Sequence, residues 1–300
     1  MRILVTGGAG FVARHLSRKL SAAGHDVVLT DVVPASGVRI ADLTDRDSLC
    51  RMVAEVKPAA CVHLGAISFV PDGERQRDLL WKVNVGGTEN LCAALKQYLP
   101  KGRLVFVSTA QVYGAPGRDD SRIVDEDSSC SPQSAYACSK LAAEKVVLQS
   151  GLDVCIARPA NHTGPGQNVR FVVPAFLARA LEVKAGGVGT IKVGNLDSVR
   201  DFTDVRDVVS AYRLILEKGT SGNVYNIGSD VRMTIRDLLA LIQRIVGVSA
   251  TTEGAPEFYR PTDFSLRLSC ERLRQLGWRT SYSIEETLHD MLNSMGYFVV

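Results

Sequence analysis

At 300 residues, with 46% hydrophobic and 22% charged residues, the chain has the size of one large or two intimately joined globular domains. A net charge of +3 with no basic run argues against a nucleic-acid partner, and no apolar run approaches the roughly 18 residues of a membrane helix. The seven cysteines (50, 61, 92, 130, 138, 155 and 270) are odd in number, scattered and never spaced Cys-x-x-Cys, which argues against a zinc site or disulfide framework and for a reducing cytoplasm.

The N-terminal run Met1–Gly7 meets glycine too early for a signal peptide and reads as a buried strand. From there the first two-thirds alternates short β-branched runs with helical patterns, which predicts a doubly wound parallel sheet covered on both faces. Strands are expected at Arg2–Thr6, Asp26–Asp31, Arg39–Ala41, Ala60–Gly65, Leu104–Thr109 and Val154–Ala157, with helices near 11–23, 45–56, 80–98 and 134–149. These strands are continuously apolar, as strands buried on both faces should be. Beyond Pro159 the rhythm loosens. The Gly-rich stretch Ala185–Gly189 interrupts a helix ahead of a short strand, Thr190–Val193; a helix at Asp204–Glu217, a strand at Val224–Ile227 and a helix at 234–246 follow. The last sixty residues hold two further short helices and no strong strand. The expected division is a dinucleotide-binding unit at 1–165, with about 204–228 joining it. A smaller, interleaved C-terminal α/β unit at 166–203 and 229–300 binds substrate.

Strand one runs into Thr6-Gly7-Gly8-Ala9-Gly10-Phe11-Val12-Ala13, where a helix opens. Gly8-x-Gly10-x-x-Ala13 satisfies the dinucleotide fingerprint, and Gly7-x-x-Gly10-x-x-Ala13 its short-chain variant. Glycines at Gly7 and Gly10 allow the tight turn and close backbone approach, while the helix amides that begin at Phe11 and Val12 point at a pyrophosphate. Strand two ends in Asp31. A carboxylate there accepts from the adenosine ribose hydroxyls and repels a 2′-phosphate, favouring NAD over NADP, although Asp31 could equally cap the following loop.

Tyr136-Ala137-Cys138-Ser139-Lys140 places a phenol and an ammonium four residues apart, on one face of a helix. A nearby lysine cation and an oxidised nicotinamide would favour the phenolate and bring its pKa toward working range. Upstream, Val105-Phe106-Val107-Ser108-Thr109 is a strand ending in hydroxyls that could hold a substrate carbonyl.

This order of motifs resembles the extended short-chain dehydrogenase/reductase family, also called the NAD-dependent epimerase/dehydratase family, over nearly the whole chain. The resemblance implies a Rossmann domain and assigns catalysis to Thr109, Tyr136 and Lys140, with Ser108 in support and Lys140 also bonding the nicotinamide ribose. Asn84-Val85-Gly86-Gly87-Thr88 matches a family segment whose asparagine braces the sheet near the cofactor. Asp42 and Leu43 sit where family members contact adenine, and Leu64-Gly65-Ala66 where the backbone borders the cofactor.

Arg158-Pro159-Ala160-Asn161-His162-Thr163-Gly164-Pro165-Gly166-Gln167 and Val199-Arg200-Asp201-Phe202-Thr203-Asp204-Val205-Arg206-Asp207 are similar to segments of the family's GDP-4-keto-6-deoxymannose reductases, and Arg260-Pro261-Thr262-Asp263 to a late segment of nucleotide-sugar enzymes. This likeness places Asn161, Arg200 and Arg260 on the diphosphate and nucleoside of a nucleotide sugar. Arginine forks suit that role, although surface ion pairs would use the same residues. His162 reads as a packing or polar-lining residue.

Ala160 stands where a bulky aromatic is usual, implying a wider pocket. Ala110-Gln111 stands where the family's dehydratases carry acids, and glutamine cannot ionise, which disfavours a 4,6-dehydratase. The reading is reduction at sugar C4 of a GDP-4-keto-6-deoxy-hexose with NAD, or NADP. A 4-epimerase is the runner-up, and a cofactor-sensing scaffold without catalysis is the remote third. Family likeness also implies a homodimer through the helices near 80–98 and 134–149, where Leu141, Val146, Val147 and Leu148 suit an interface or core packing. Neither a metal, a membrane nor a nucleic acid is expected.

Overall fold

The computed structural model describes residues 1–115, 123–259 and 266–297. Seven parallel strands make the central sheet: β1 (Arg2–Thr6), β2 (Asp26–Asp31), β3 (Val38–Ile40), β4 (Ala60–His63), β5 (Arg103–Val107), β6 (Asp153–Pro159) and β7 (Val224–Ile227). Their order across the sheet is β7-β6-β5-β4-β1-β2-β3. The chain starts in the interior at β1 and winds outward in both directions. The strand order therefore reverses beside β1, and the carboxyl ends of β1 and β4 frame the crevice where such sheets take ligands.

Alternation along the strands explains the two-sided core. Ile3, Val5, Val62, Val105, Cys155 and Ala157 enter one apolar cluster, while Leu4, Cys61, Leu104, Phe106, Val154 and Ile156 enter another. Helices α1 (Phe11–Ala22) and, later in the chain, 205–218 cover the first face. Helices α2 (Arg46–Val56), α3 (Gly87–Tyr98) and α4 (Ala135–Gln149) cover the second. A third cluster draws only on residues from Val172 onward, through α5 (Val172–Lys184), the strand Thr190–Val193, α7 (Ile235–Val246) and α8 (Ile284–Ser294). The intervening α6 (Val205–Lys218) returns the chain to the central sheet ahead of β7.

Local chemistry fixes the ends. Asp45 accepts from Ser48 N at 3.0 Å to start α2. Capping boxes, Thr234 with Asp237 and Ser283 with Glu286, start α7 and α8. Two details go beyond the expected pattern. The helix expected near 80–98 runs unbroken from Arg77 to Tyr98 with a π-turn inside it: Arg77–Trp81 is α-helical, Lys82–Gly86 is π-wound, and α3 continues from Gly87. An extra residue per turn there frees Asn84 to aim its amide away from the helix, as π-bulges at functional sites do. The tail also contains short strands, Thr251–Gly254 pairing with Thr190–Val193 and Arg267–Leu268 with Ile123–Val124. Each is too short for a periodicity signal.

No helix among the described residues is long and apolar enough to cross a membrane.

Candidate active site

The glycine loop leaves β1 at a strained point that only glycine fits. Gly7 has φ +69°, and a Cβ there would stand 2.8 Å from Gly65 N. Gly8 N donates to Thr30 O at 2.9 Å, pressing the loop onto β2. Gly10 caps α1 without a side chain, and the first turn holds no acid, so the helix offers bare amides from Phe11 and Val12 onward. A cradle too tight for a Cβ, ending in an uncapped helix N-terminus, fits a dinucleotide pyrophosphate. Phe11 packs edge-on against His15, with ring centroids 5.3 Å apart.

Asp31 does cap a loop. Its Oδ2 accepts from Ala9 N at 3.1 Å and its Oδ1 from Val33 N at 3.0 Å. The carboxylate thus ties the glycine loop to the end of β2, and each oxygen keeps a lone pair for a ribose hydroxyl. Asp42 accepts from Thr44 N at 2.8 Å in a local turn. Leu43 lies between Gly65 and Gly87, where a Cβ would come within 2.9 and 2.8 Å of its side chain. Leu64 and Ala66 flank Gly65 at the mouth of β4, both part-buried.

At the carboxyl end of β5, Thr109 Oγ1 accepts from Gln111 N at 3.3 Å, so its proton faces elsewhere. Thr109 is the neighbour that favours the Tyr136 phenolate. The hydroxyl of Ser108 is buried and has no hydrogen-bond partner, an orphan at the site's floor. Ser134 caps α4 by accepting from Ala137 N at 3.1 Å, and Glu74 accepts from Ala135 N at 2.8 Å. Tyr136 therefore sits in the first turn of a doubly anchored helix.

Without a nicotinamide beside it, burial dominates the Tyr136 phenol. Burial pushes the phenol up to about 12, and the opposing pull comes from Thr109. The Lys140 ammonium lies 4.3 Å from the centroid of the Phe106 ring. Burial pushes Lys140 down to about 7, with Glu144 opposing. For each group desolvation outweighs its favourable neighbour, Thr109 for Tyr136 and Glu144 for Lys140.

Asn84, which the resemblance assigns to bracing the sheet, ties the segment after β4 to the catalytic helix. Its Oδ1 accepts from Ile67 N at 2.8 Å, and its Nδ2 donates to Ile67 O at 3.2 Å and Ser139 Oγ at 3.0 Å.

The segment after β6 folds over α1. His15 Nε2 meets Pro165 O at 2.9 Å, and Gln167 Nε2 donates to His162 O at 3.0 Å. Burial lowers His162, whose Nδ1 lies 3.1 Å from Ala160 O, consistent with a polar lining residue. The side chain of Asn161 is exposed, while its carbonyl accepts from Thr203 N at 3.0 Å. Arg200 donates from Nη1 to Val199 O at 2.7 Å, and burial pushes it down to about 10, leaving it cationic at neutral pH. Arg260 lies outside the described residues.

The acids near Arg200 are structural. Asp201 accepts from Ser229 N, Ser229 Oγ, Thr203 Oγ1 and Asp230 N, folding the turn after β7. Asp204 holds Arg206 and Thr287, and Asp207 holds the amides of Ser281 and Tyr282. Sequence reasoning passed over His63, Glu144 and Arg158. Only the i, i+4 spacing of Lys140 and Glu144 could have signalled one of them.

Among the described residues, no His, Cys, Asp and Glu side chains gather in the threes a metal ion would need.

The chain is 35% identical to the GDP-6-deoxy-D-mannose reductase of Pseudomonas aeruginosa over 299 residues, covering 97% of this chain and 96% of the relative. The solved structure of RMD from Pseudomonas aeruginosa complexed with NADPH superposes with a TM-score of 0.87 at 34% identity, covering 98% of each chain. The UDP-glucose 4-epimerase of Thermus thermophilus, solved with NAD, superposes with a TM-score of 0.88 at 30% identity, covering 99% of each. Residues 3–228 match the NAD dependent epimerase/dehydratase family, and with the glycine loop, Thr109, Tyr136 and Lys140 arranged at the carboxyl ends of the strands, the chain belongs to that family of extended short-chain dehydrogenase/reductase enzymes.

Proposed function

We propose that the protein reduces a GDP-4-keto-6-deoxy-hexose at C4 in the cytoplasm, using NADH or NADPH. The observation that carries this is the 35% identity, over nearly the full length, to the GDP-6-deoxy-D-mannose reductase of Pseudomonas aeruginosa. Held up to about 12 by burial, the Tyr136 phenol is an acid at neutral pH, suited to protonating a carbonyl oxygen that is gaining charge. Similarity to the GDP-6-deoxy-D-mannose reductase over nearly the full length supports the sugar and the base.

In this reading Gly7, Gly10, Phe11, Val12 and Asp31 hold the dinucleotide, with Asp42, Leu43, Leu64, Gly65 and Ala66 beside its adenosine half. When bound, the nicotinamide supplies the hydride. Thr109 donates a hydrogen bond to the C4 oxygen, and Tyr136 transfers its phenolic proton to it. Lys140 stabilises the resulting phenolate and orients the nicotinamide ribose. Ser108 offers its unpartnered hydroxyl at the same floor. Asn161, Arg200 and Arg260 hold the nucleoside diphosphate, and Ala160 leaves room beside the sugar. Residues 1–165 with about 204–228 form the dinucleotide unit, and 166–203 with 229–300 the substrate unit. Exposed Leu79, Trp81, Tyr98 and Leu148, on or beside α3 and α4, support a homodimer through those helices.

The second reading is a 4-epimerase, favoured by the uncharged Gln111 beside Thr109 and by the likeness to the Thermus enzyme. Oxidation of NADH or NADPH dependent on GDP-4-keto-6-deoxymannose supports the reductase; no absorbance change with that sugar defeats it. Near-stoichiometric NAD released on denaturation, with sugar interconversion and no net absorbance change, selects the epimerase instead.

A further inference from the structure

A line of hydrogen bonds runs from the cofactor cradle to the catalytic helix, and each donor in it points the same way. Gly65 N, against which Gly7 is pressed, donates to Thr6 Oγ1 at 3.1 Å. Thr6 Oγ1 lies 2.6 Å from His63 Nδ1, and His63 Nε2 lies 3.1 Å from Thr88 Oγ1. Thr88 Oγ1 donates to the carbonyl of Asn84 at 2.6 Å. Asn84 Nδ2 donates to Ser139 Oγ, which donates to the carbonyl of Tyr136 at 2.8 Å.

The end of the line fixes the middle. A carbonyl cannot donate, so the Thr88 hydroxyl proton is committed to Asn84. Thr88 can then only accept from His63, which places a proton on Nε2. Burial, with the charge of Lys140 behind it, holds the imidazole down to about 3, so the ring is neutral and Nδ1 is bare. Nδ1 must accept from Thr6, whose oxygen in turn receives Gly65 N. All of Thr6, His63, Thr88 and Ser139 are buried, so water cannot substitute for a missing link.

We propose that His63 is a positioning residue for hydride transfer: as a neutral Nε2–H tautomer it locks the β4 end of the cofactor cradle to the π-turn that holds Tyr136 and Lys140. The line crosses from β1 and β4 to α3 and then α4, joining the two halves of the site, which approach from different elements. Within the 82–86 π-turn, Asn84 presents its carbonyl to Thr88 and its amide to Ser139. The inference rests on the proposal that Tyr136 and Lys140 serve a nicotinamide reaction.

Two measurements test it. In protein carrying nitrogen-15 histidine, without cofactor or sugar, long-range nitrogen–proton correlation should show one histidine as the Nε2–H tautomer, unchanged from about pH 5 to 8. Assignment by comparison with His63→Gln identifies the ring. A His63 signal that titrates in that window, or carries its proton on Nδ1, overturns the proposal whatever the sugar proves to be. The second measurement uses Thr88→Val, which keeps shape and removes the relay, beside Thr88→Ser, which keeps the hydroxyl. Thr88→Val should lower kcat about a hundredfold with KM and NADH affinity little changed, and Thr88→Ser should restore most of it. Ser139→Ala, which removes one oxygen at the last link, carries the same test should Thr88→Val fail to fold. Undiminished kcat in the broken variants, or equal loss in Thr88→Val and Thr88→Ser, overturns it.

Discussion

Both carboxylate oxygens of Glu144 are taken by Arg158, Oε1 by Nε at 2.9 Å and Oε2 by Nη2 at 2.6 Å. The pair is almost wholly buried, with side-chain exposures of 3% and 7%, and joins α4 to β6 one helical turn beyond Lys140. Arg158 also stacks over the Tyr113 ring at 4.8 Å, and Tyr113 donates to Asn226 Oδ1 at 2.8 Å, so β7 is tied to the same network.

Breaking this pair leaves a buried charge without its partner. Arg158→Met should therefore destabilise the fold by about 3–5 kcal/mol, read from urea unfolding. Adding Glu144→Gln should recover part of that loss, because the stranded carboxylate disappears with it. If Arg158→Met costs under about 1 kcal/mol, the pair is hydrated in solution and does not anchor α4.

Tyr136→Phe removes the proposed acid and leaves the cleft's shape. The expected result is a fall in kcat of about 10²–10⁴, with NADH affinity by fluorescence titration nearly unchanged. Thr109→Val should cost less, since it removes a hydrogen bond to the developing oxyanion and not the proton itself. Comparable activity in Tyr136→Phe would move the proton donor elsewhere.

Much of this site was legible because its chemistry lies at strand ends. The runs Arg2–Thr6, Asp26–Asp31 and Val224–Ile227 are strands with the bounds their apolar patterns predict, and the glycine loop follows from residue types alone. What stayed hidden depends on contacts between distant segments. His63 sits in an apolar run, and nothing local tells that its two nitrogens face Thr6 and Thr88, 57 and 25 residues away. The π-turn escaped because helical periodicity is blind to one inserted residue. Asp204 and Asp207 stood in a segment quoted only for its likeness to reductases, and their capping of α6 and of the approach to α8 shows only in the fold. Desolvation was the other omission. Spacing puts Lys140 on the face of Tyr136, but only burial decides that both groups move toward their neutral forms.

Asp31 has two tasks that a single substitution separates. Its carboxylate accepts from the amides of Ala9 and Val33 and shapes the loop, and in the proposed reading its charge also selects against a 2′-phosphate. Asp31→Asn keeps an acceptor for one amide and loses the charge. The ratio of kcat/KM for NADH over NADPH should fall about tenfold or more, mainly through a gain with NADPH. An unchanged ratio would mean that the carboxylate serves the loop alone and that specificity lies elsewhere.

Lys140 gives the nicotinamide-free protein a pH signature. Its folded pKa is depressed to about 7 by burial, against roughly 10.4 in an unfolded chain. Between those values the unfolded state holds a proton that the folded state lacks, so stability rises with pH across that window. Below about 7 both states are protonated and the folded protein carries the full desolvation cost of the ammonium; above about 10 neither is protonated and the cost is gone. Glu144 offsets part of it, but both its oxygens are engaged by Arg158. Lys140→Met, which keeps the apolar stem over Phe106, should raise the melting temperature at pH 6 and flatten the rise between pH 7 and 10. Thermal unfolding across that range, wild type against variant, measures the difference directly. Parallel curves would place the Lys140 ammonium in water and remove burial as the cause of its lowered pKa.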